Sequence, residues 1–99
     1  MKNTKLNYRI GNYIKNMRSK KGLTGKELAN LIHVSQQQIS RYENGTATVS
    51  IDRMLHILCM LNLSIHDFVE KIIIPEQENL YKKIFDDLKK EGTIKSFDD

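Results

Sequence analysis

Two short helices that begin close together are the feature that most restricts the fold of this chain. Thr24 is followed three residues later by Glu27, and Ser35 is followed three residues later by Gln38. Each pair matches a capping box, in which the two side chains satisfy free N–H groups at the start of a helix. Only residues 33–34 separate the first helix from the second cap, so the sequence predicts two helices that meet across a tight turn.

The helix that begins after Ser35 is too polar to be a central core element. Its apolar positions are Ile39 and Tyr42, and it opens with three consecutive glutamines. A helix with so narrow an apolar stripe exposes most of its surface to water or to a polar partner. Glutamine amides match the N6/N7 edge of adenine, and Arg41 matches guanine or a phosphate. The pattern favours a helix in the major groove of DNA over a merely solvated glutamine face.

Apolar residues at helical spacing predict four further helices and an all-α fold. One runs from Tyr8 to Lys21 and ends at Gly22, and two others begin at Ser50 and Ser64. Pro75 is expected to stop the fifth helix at the latest, because proline lacks an N–H group. The predicted organisation is a flexible arm (1–7), a main domain (8–74), a C-terminal helix (76–91) and a frayed tail (92–99).

The charge of the chain is unevenly distributed. Residues 1–50 carry nine Lys and Arg against two acids, whereas residues 51–99 carry seven against ten. The net charges of +7 and −3 that follow indicate that a polyanion docks on the N-terminal half. A solvated lysine-rich surface is the alternative.

Catalytic and metal-binding patterns are not evident in the sequence. Cys59, the only cysteine, lies in an apolar run and is predicted to be buried. His56 lies on the same predicted helix face, but no second ligand pair completes a metal site. We therefore expect no metal, no cofactor and no enzymatic activity. Without an evident signal peptide or membrane span, the chain is expected to be cytoplasmic and held at the nucleoid by DNA.

The stretch from Arg18 to Gly45 contains L-T-x-x-E-L-A followed by V-S-x-x-x-I-S-x-Y-E-N-G. So many residue types at these spacings form a specific signature. Residues 10 to about 70 resemble the Cro/repressor (Xre-type) helix-turn-helix family. The resemblance implies a five-helix repressor-like DNA-binding domain, here with an additional C-terminal helix. It also implies a sequence-specific transcriptional regulator that binds double-stranded DNA.

The resemblance also implies roles for individual residues. Those at base-reading positions are Gln36, Gln37 and Arg41, with Gln38 and Ser40 as auxiliaries. Those at DNA-backbone positions are Thr24, Lys26, Asn44 and Thr46. Arg18 and Glu43 match a partly buried structural salt bridge.

Two departures from the family pattern affect this region. Gly25 stands where the family usually has a glutamine that contacts phosphate and braces the recognition helix. Its absence puts that phosphate contact in doubt, although Lys26 is a candidate to replace it. His33 stands where the turn commonly has glycine, so we expect a strained or shifted backbone there.

The C-terminal helix carries a broad apolar stripe that needs a partner. Its members are Leu80, Tyr81, Ile84, Phe85 and Leu88. The stripe either folds back onto the core or pairs with a second copy. The family generally binds inverted repeats as dimers, so we favour a homodimer to which this stripe or the fifth helix contributes. The alternative function is an antitoxin-type module that binds a protein partner through this segment and autoregulates through the same DNA-binding fold.

Overall fold

The computed structural model describes residues 5–92. Every regular element in this range is helical, so the prediction of an all-α fold is confirmed. The elements are α1 (Lys5–Lys20), α2 (Gly25–Ile32), α3 (Gln36–Glu43), α4 (Ile51–Met60), α5 (Ile65–Phe68), a π-helical turn (Val69–Ile73) and α6 (Ile74–Lys90).

The two predicted helix starts are present, but only the first forms a complete capping box. The Glu27 N–H donates to Thr24 Oγ1 at 3.1 Å, and the Thr24 N–H donates to Glu27 Oε1 at 2.8 Å. At α3 the Gln38 N–H donates to Ser35 Oγ at 3.0 Å. The return bond from the Gln38 side chain is not formed among the described residues, so that half of the prediction is wrong. Amide side chains at this position have weaker acceptors than carboxylates.

The core is a single apolar cluster to which α1–α4 and the start of the C-terminal helical segment all contribute. α3 packs against both α1 and α2, and α2 also packs against α4. Its buried members are Tyr13, Ile14, Met17, Leu28, Ala29, Ile32, Ile39, Tyr42, Met54, Ile57, Leu58, Leu61, Phe68 and Ile72. α3 contributes only two of these side chains, which agrees with its predicted role as a surface helix.

The turn between α2 and α3 depends on a left-handed residue. His33 has φ 60° and ψ 44° and ends α2, and its N–H donates to the Ala29 carbonyl. The Val34 N–H donates to the same carbonyl at 3.0 Å. This conformation costs a residue with a side chain about 1–2 kcal/mol, which is the strain that the departure from the family pattern implied at this position.

α5, the π-helical turn and α6 form one continuous helical segment, so the predicted break at Pro75 is wrong. The proline lies in the first turn of α6. Within the preceding turn the Ile74 N–H donates to the Val69 carbonyl, five residues back. A π-helical turn widens the backbone locally and shifts its hydrogen bonding. We infer that this widening accommodates the proline ring, which has no N–H to donate.

The ends of the chain differ in part from the predicted boundaries. α1 begins at Lys5, so residues 5–7 of the predicted flexible arm are helical. α6 ends at Lys90, and Gly92 follows in a left-handed conformation with φ 73°. The predicted frayed tail otherwise lies outside the described residues.

The prediction that Cys59 is buried is wrong, because this side chain lies on the outward face of α4 and is exposed. Leu55, one turn before it, and Ile51, two turns before it, are also exposed. Apolar residues occupy more than half of the circumference of α4, and Met54 and Leu58 mark the side that packs inward. Neighbouring helices select that side, so the apolar run alone could not identify it.

α1 is tied to the C-terminal segment by polar contacts that the sequence did not predict. The Tyr13 hydroxyl donates to Asp67 Oδ2 at 2.6 Å, and Lys71 pairs with the other carboxylate oxygen at 3.0 Å. Burial, followed by the bond to Asp67, raises the pKa of Tyr13 above its ordinary range. The bond from Tyr13, followed by that from Lys71, lowers the pKa of Asp67. At the start of α6, Arg9 pairs with Glu76 at 2.8 Å.

The Asp67 contacts predict a dependence of stability on acid pH. A carboxylate whose pKa is lowered in the folded state stabilises the fold above its unfolded pKa of about 3.9, and this contribution is lost as pH falls through the folded value. We expect Asp67→Asn to be less stable than the wild type at pH 7 and to lose less stability on acidification. Urea unfolding at pH steps from 7 to about 2 tests this. An equal loss of unfolding free energy on acidification in the two proteins would contradict the prediction.

Gly11 allows α1 to approach the end of α3, and its substitution should be costly. A Cβ atom there would clash with the backbone carbonyl of Tyr42 and lie 2.7 Å from that of Glu43. We expect Gly11→Ala to reduce the free energy of unfolding by about 1–3 kcal/mol. Gly25→Ala is the matched control, because its Cβ would meet only Ile39 Cγ2 at 3.8 Å. At this first position of α2 alanine should stabilise by about 0.4–1 kcal/mol, because it restricts the unfolded chain. Equal effects in urea unfolding would show that Gly11 has no packing role.

Candidate nucleic-acid interface

The outward surface of α3 is a row of exposed polar side chains. Ile39 and Tyr42 anchor the helix in the core, whereas Gln36, Gln37 and Arg41 are exposed. Within residues 5–92 these three side chains make no hydrogen bond or ion pair. Amide and guanidinium groups are therefore available at one surface, and both types form paired hydrogen bonds to base edges.

The two auxiliary positions differ from each other. Ser40 is exposed one turn after Gln36, on the same side of α3. Gln38 is half-buried, and its backbone N–H binds the Ser35 cap. Of the two, Ser40 has the more accessible side chain.

An ion pair holds the C-terminal end of α3 against α1. Arg18 donates from Nε to Glu43 Oε2 at 2.6 Å and from Nη2 to Glu43 Oε1 at 3.0 Å. Its third donor, Nη1, reaches the Leu23 carbonyl at 2.7 Å. The two charged side chains are only 13% and 9% exposed. The bond to Glu43 raises the pKa of Arg18 against the opposing effect of burial. All three nitrogens of this guanidinium bind within the fold, which ties the end of α3 to α1.

Asn44 and Thr46 form a small polar turn directly after α3. The Thr46 hydroxyl lies 2.7 Å from Asn44 Oδ1, and the Thr46 N–H donates to the same oxygen at 3.2 Å. The Asn44 side-chain oxygen is bound to Thr46, whereas the two N–H donors of its amide have no partner within the described residues. A phosphate oxygen accepts such donors. Asn44 is thus the candidate contact, and Thr46 orients it.

The N-terminus of α2 lies beside α3 and presents a second set of donors. The Thr24 hydroxyl already accepts from the Glu27 N–H, as the helix cap. Lys26 is exposed and forms no ion pair within the described part of the chain. A cation at a helix N-terminus, where free N–H groups also point outward, suits a phosphate.

Gly25 borders an open depression that is lined mainly by α1 and α3. The depression has a volume of about 320 Å³, and the Arg18–Glu43 pair lies along it. Lys15, Gln36, Ser40 and Asn44 also line it. Lys15 was not among the predicted site residues, although its position three residues before Arg18 places it on the same face of α1. Gly25 has no side chain, so it cannot brace Gln36 across the depression.

Neither a metal cluster nor a membrane span is found in residues 5–92. No three His, Cys, Asp or Glu side chains there come together in a way that could hold a metal ion. None of the helices in this range combines the length and the apolar character that crossing a bilayer requires.

Comparison with known sequences identifies the same region. Residues 14–68 match the sequence profile of the helix-turn-helix family. The chain is 38% identical over 72 residues to antitoxin PezA of Streptococcus pneumoniae, with 70% of this chain and 45% of that protein covered. It is 30% identical over 70 residues to a putative HTH-type transcriptional regulatory protein of Methanothermobacter thermautotrophicus, with 71% and 22% covered. The chain thus spans less than half of the length of either relative.

Solved structures with the same fold include a gene regulator and a controller protein. The clp gene regulator ClgR from C. glutamicum superimposes with a TM-score of 0.66 at 27% identity, over 71% of this chain and 91% of that chain. The restriction-modification controller protein C.Esp1396I, solved as a tetramer with its natural 35-base-pair operator, has a TM-score of 0.64 at 27% identity, over 71% and 92%. These folds confirm the five-helix repressor-like architecture predicted from the sequence.

The family profile covers more than half of the chain, and it spans the two capped helices, the turn at His33 and the ion pair of Arg18 with Glu43. The resemblance inferred from the sequence is therefore confirmed, and the chain belongs to the helix-turn-helix family.

Proposed function

We propose that this protein is a transcriptional regulator that binds double-stranded DNA sequence-specifically, with α3 in the major groove. The observation that carries the proposal is the set of exposed side chains on α3, which bind nothing within the described residues. Gln36 and Gln37 lie on the first turn, from which helix-turn-helix proteins contact base edges, and Arg41 follows one turn later. We assign these three to base contacts, with Gln38 and Ser40 as auxiliaries.

Backbone contacts in this proposal flank α3 on both sides. On one side are Thr24 and Lys26, at the start of α2, and on the other Asn44, oriented by Thr46. Such contacts fix the register of a protein on the duplex but carry no sequence information of their own. Arg18 and Glu43 are assigned to positioning α3, because the ion pair occupies both side chains.

The operator in this proposal is an inverted repeat bound by two copies. A two-fold symmetric pair of helix-turn-helix domains binds half-sites about one helical turn, or 34 Å, apart. The solved complex of C.Esp1396I, a tetramer on its operator, supports binding by more than one copy. The proposed role is non-enzymatic, and DNA occupancy would hold the protein at the nucleoid in the cytoplasm.

Selection from a random duplex library tests the proposed function directly. We expect an inverted repeat to be enriched, with affinities for it about 10³-fold or more above those for random duplex. Retesting the selected duplexes at several salt concentrations separates specific from general electrostatic binding. Recovery of no sequence above background, from protein verified as folded, would refute the proposal.

Substitutions in α3 should affect affinity for the selected site more than affinity for random duplex. Gln36→Ala and Arg41→Ala are each expected to cost about 1–3 kcal/mol on that site. Lys26→Ala, outside α3, is the comparison variant: it should weaken binding to all duplexes alike and reduce the salt slope by about one. Fluorescence anisotropy with both duplexes measures the difference. Equal losses on both duplexes would reassign Gln36 and Arg41 to the DNA backbone.

An antitoxin-type role is the second candidate function. Two observations favour it: the similarity to antitoxin PezA and the exposed apolar side chains on α6. In that role α6 would bind a protein partner while α3 binds the operator of the chain's own gene. A tagged chain that co-purifies from its own cells with a second, different small protein in equal amounts supports this role. Purification of a homodimer alone favours the regulator.

A further inference from the structure

α6 extends from the domain with one apolar side uncovered. None of its seventeen residues is buried. Leu80, Tyr81 and Ile84 are 54%, 64% and 47% exposed, and Ile74 at the start of the helix is exposed as well. The fold-back of this stripe onto the core, one of the two alternatives considered from the sequence, does not occur within residues 5–92. A large apolar side of this kind marks a binding surface.

The shape of this side indicates what covers it. A shallow depression of about 120 Å³ is lined by Gln77, Leu80, Tyr81 and Ile84. These four residues stand at positions i, i+3, i+4 and i+7 of one helix. Four residues with that spacing form the hole that receives a side chain of a facing helix in a coiled coil. The depression is therefore suited to a side chain projecting from another α-helix.

α6 also supplies the side chains that such a hole accepts. Its seam residues alternate at spacings of three and four, the repeat that keeps one stripe facing a partner helix. They are Ile74, Gln77, Tyr81, Ile84 and Leu88. A helix that carries both the apolar seam and the holes is complementary to a second copy of itself. We propose that α6 pairs with α6 of a second copy of this chain.

The distribution of charge on α6 is compatible with this pairing. A separate polar depression on the helix is lined by Asn79, Lys82, Lys83, Asp86, Asp87 and Lys90. Lys89 lies over the Phe85 ring, 5.4 Å from its centroid. The five seam residues include no ionised side chain, so two copies meet without bringing like charges into the seam. Gln77, the one amide among them, is the kind of polar seam residue that lowers stability but fixes the register of a helix pair.

The size of the surface predicts a reversible dimer. Seventeen helical residues extend about 25 Å. One helix pair of this length lies at the low end of specific interfaces, which bury about 800 Å² per partner in stable complexes. The mass of the protein should therefore fall towards the monomer value of 11.5 kDa on dilution. The Arg9–Glu76 pair ties α1 to the start of α6, so the helix pair also constrains the relative positions of the two domains.

Sedimentation equilibrium of the full chain tests the pairing with two variants that each introduce one carboxylate. Ile84→Asp places a charge in the hole, whereas Asn79→Asp places the same charge in the polar depression. Neither site is buried in the domain, and circular dichroism melts verify that the fold is retained. At about 100 µM, a concentration suited to a weak interface, we expect the wild type and Asn79→Asp to be dimers and Ile84→Asp to be a monomer.

Two results would overturn the proposal: a wild type that is monomeric at that concentration, or an Ile84→Asp variant that dimerises as the wild type does. The latter would move the interface to another surface, such as the exposed Ile51 and Leu55 on α4. Dimerisation itself does not require DNA, but its effect on the operator rests on the proposed function. In DNA-binding experiments, the Ile84→Asp variant should keep its affinity for a single half-site, whereas its affinity for the inverted repeat should fall roughly 5- to 150-fold. If no variant binds either duplex, the proposed DNA function is refuted. The masses from sedimentation equilibrium still test the pairing of α6 with α6.

Discussion

The bidentate ion pair of Arg18 with Glu43 is the interaction on which the placement of α3 depends. α3 buries only Ile39 and Tyr42, too little apolar surface to fix its orientation by itself. The guanidinium joins α1, the last residue of α3 and the Leu23 carbonyl in the loop that leads to α2. Breaking a pair as little exposed as this one costs about 3–5 kcal/mol, a large part of the stability of a small domain. Gly11 lies two turns before Arg18 on α1. Because it has no side chain, the end of α3 can come close enough to α1 for the ion pair to form.

The features that sequence analysis identified correctly are those fixed by local chemistry. A capping serine or threonine acts on residues two or three positions away, so the starts of α2 and α3 were visible in the sequence. The strain at His33 was expected from the family resemblance instead, because that turn position commonly holds glycine. The burial of Cys59 and the effect of Pro75 were predicted wrongly, because both depend on distant parts of the fold. Neighbouring helices choose which side of α4 is buried, and a π-helical turn before Pro75 allows the helix to continue.

Some contacts of the site itself could be expected from the sequence only through the family resemblance. Nothing in the local pattern pairs Arg18 with Glu43, twenty-five residues apart, or brings Lys15 and Gln36 to the same depression. Long-range pairs of this kind depend on how α1 crosses α3. The Tyr13–Asp67 bond, between residues fifty-four apart, was not predicted, since neither residue belongs to a recognisable motif.

The depression at Gly25 links the proposed interface to the proposed helix pair. Gln36 lines this depression without a side chain at residue 25 to brace it, and the described residues provide it with no hydrogen bond. Ordering a free side chain on binding costs about 0.5–1.5 kcal/mol. In the proposed interface Gln36 would incur this cost, which would offset part of what a base contact of about 1–3 kcal/mol contributes. In the proposed interface, a single α3 would therefore discriminate less between sequences than its exposed side chains alone suggest. Joining two copies through α6 combines two such half-sites, so the discrimination that one helix lacks would come from the second.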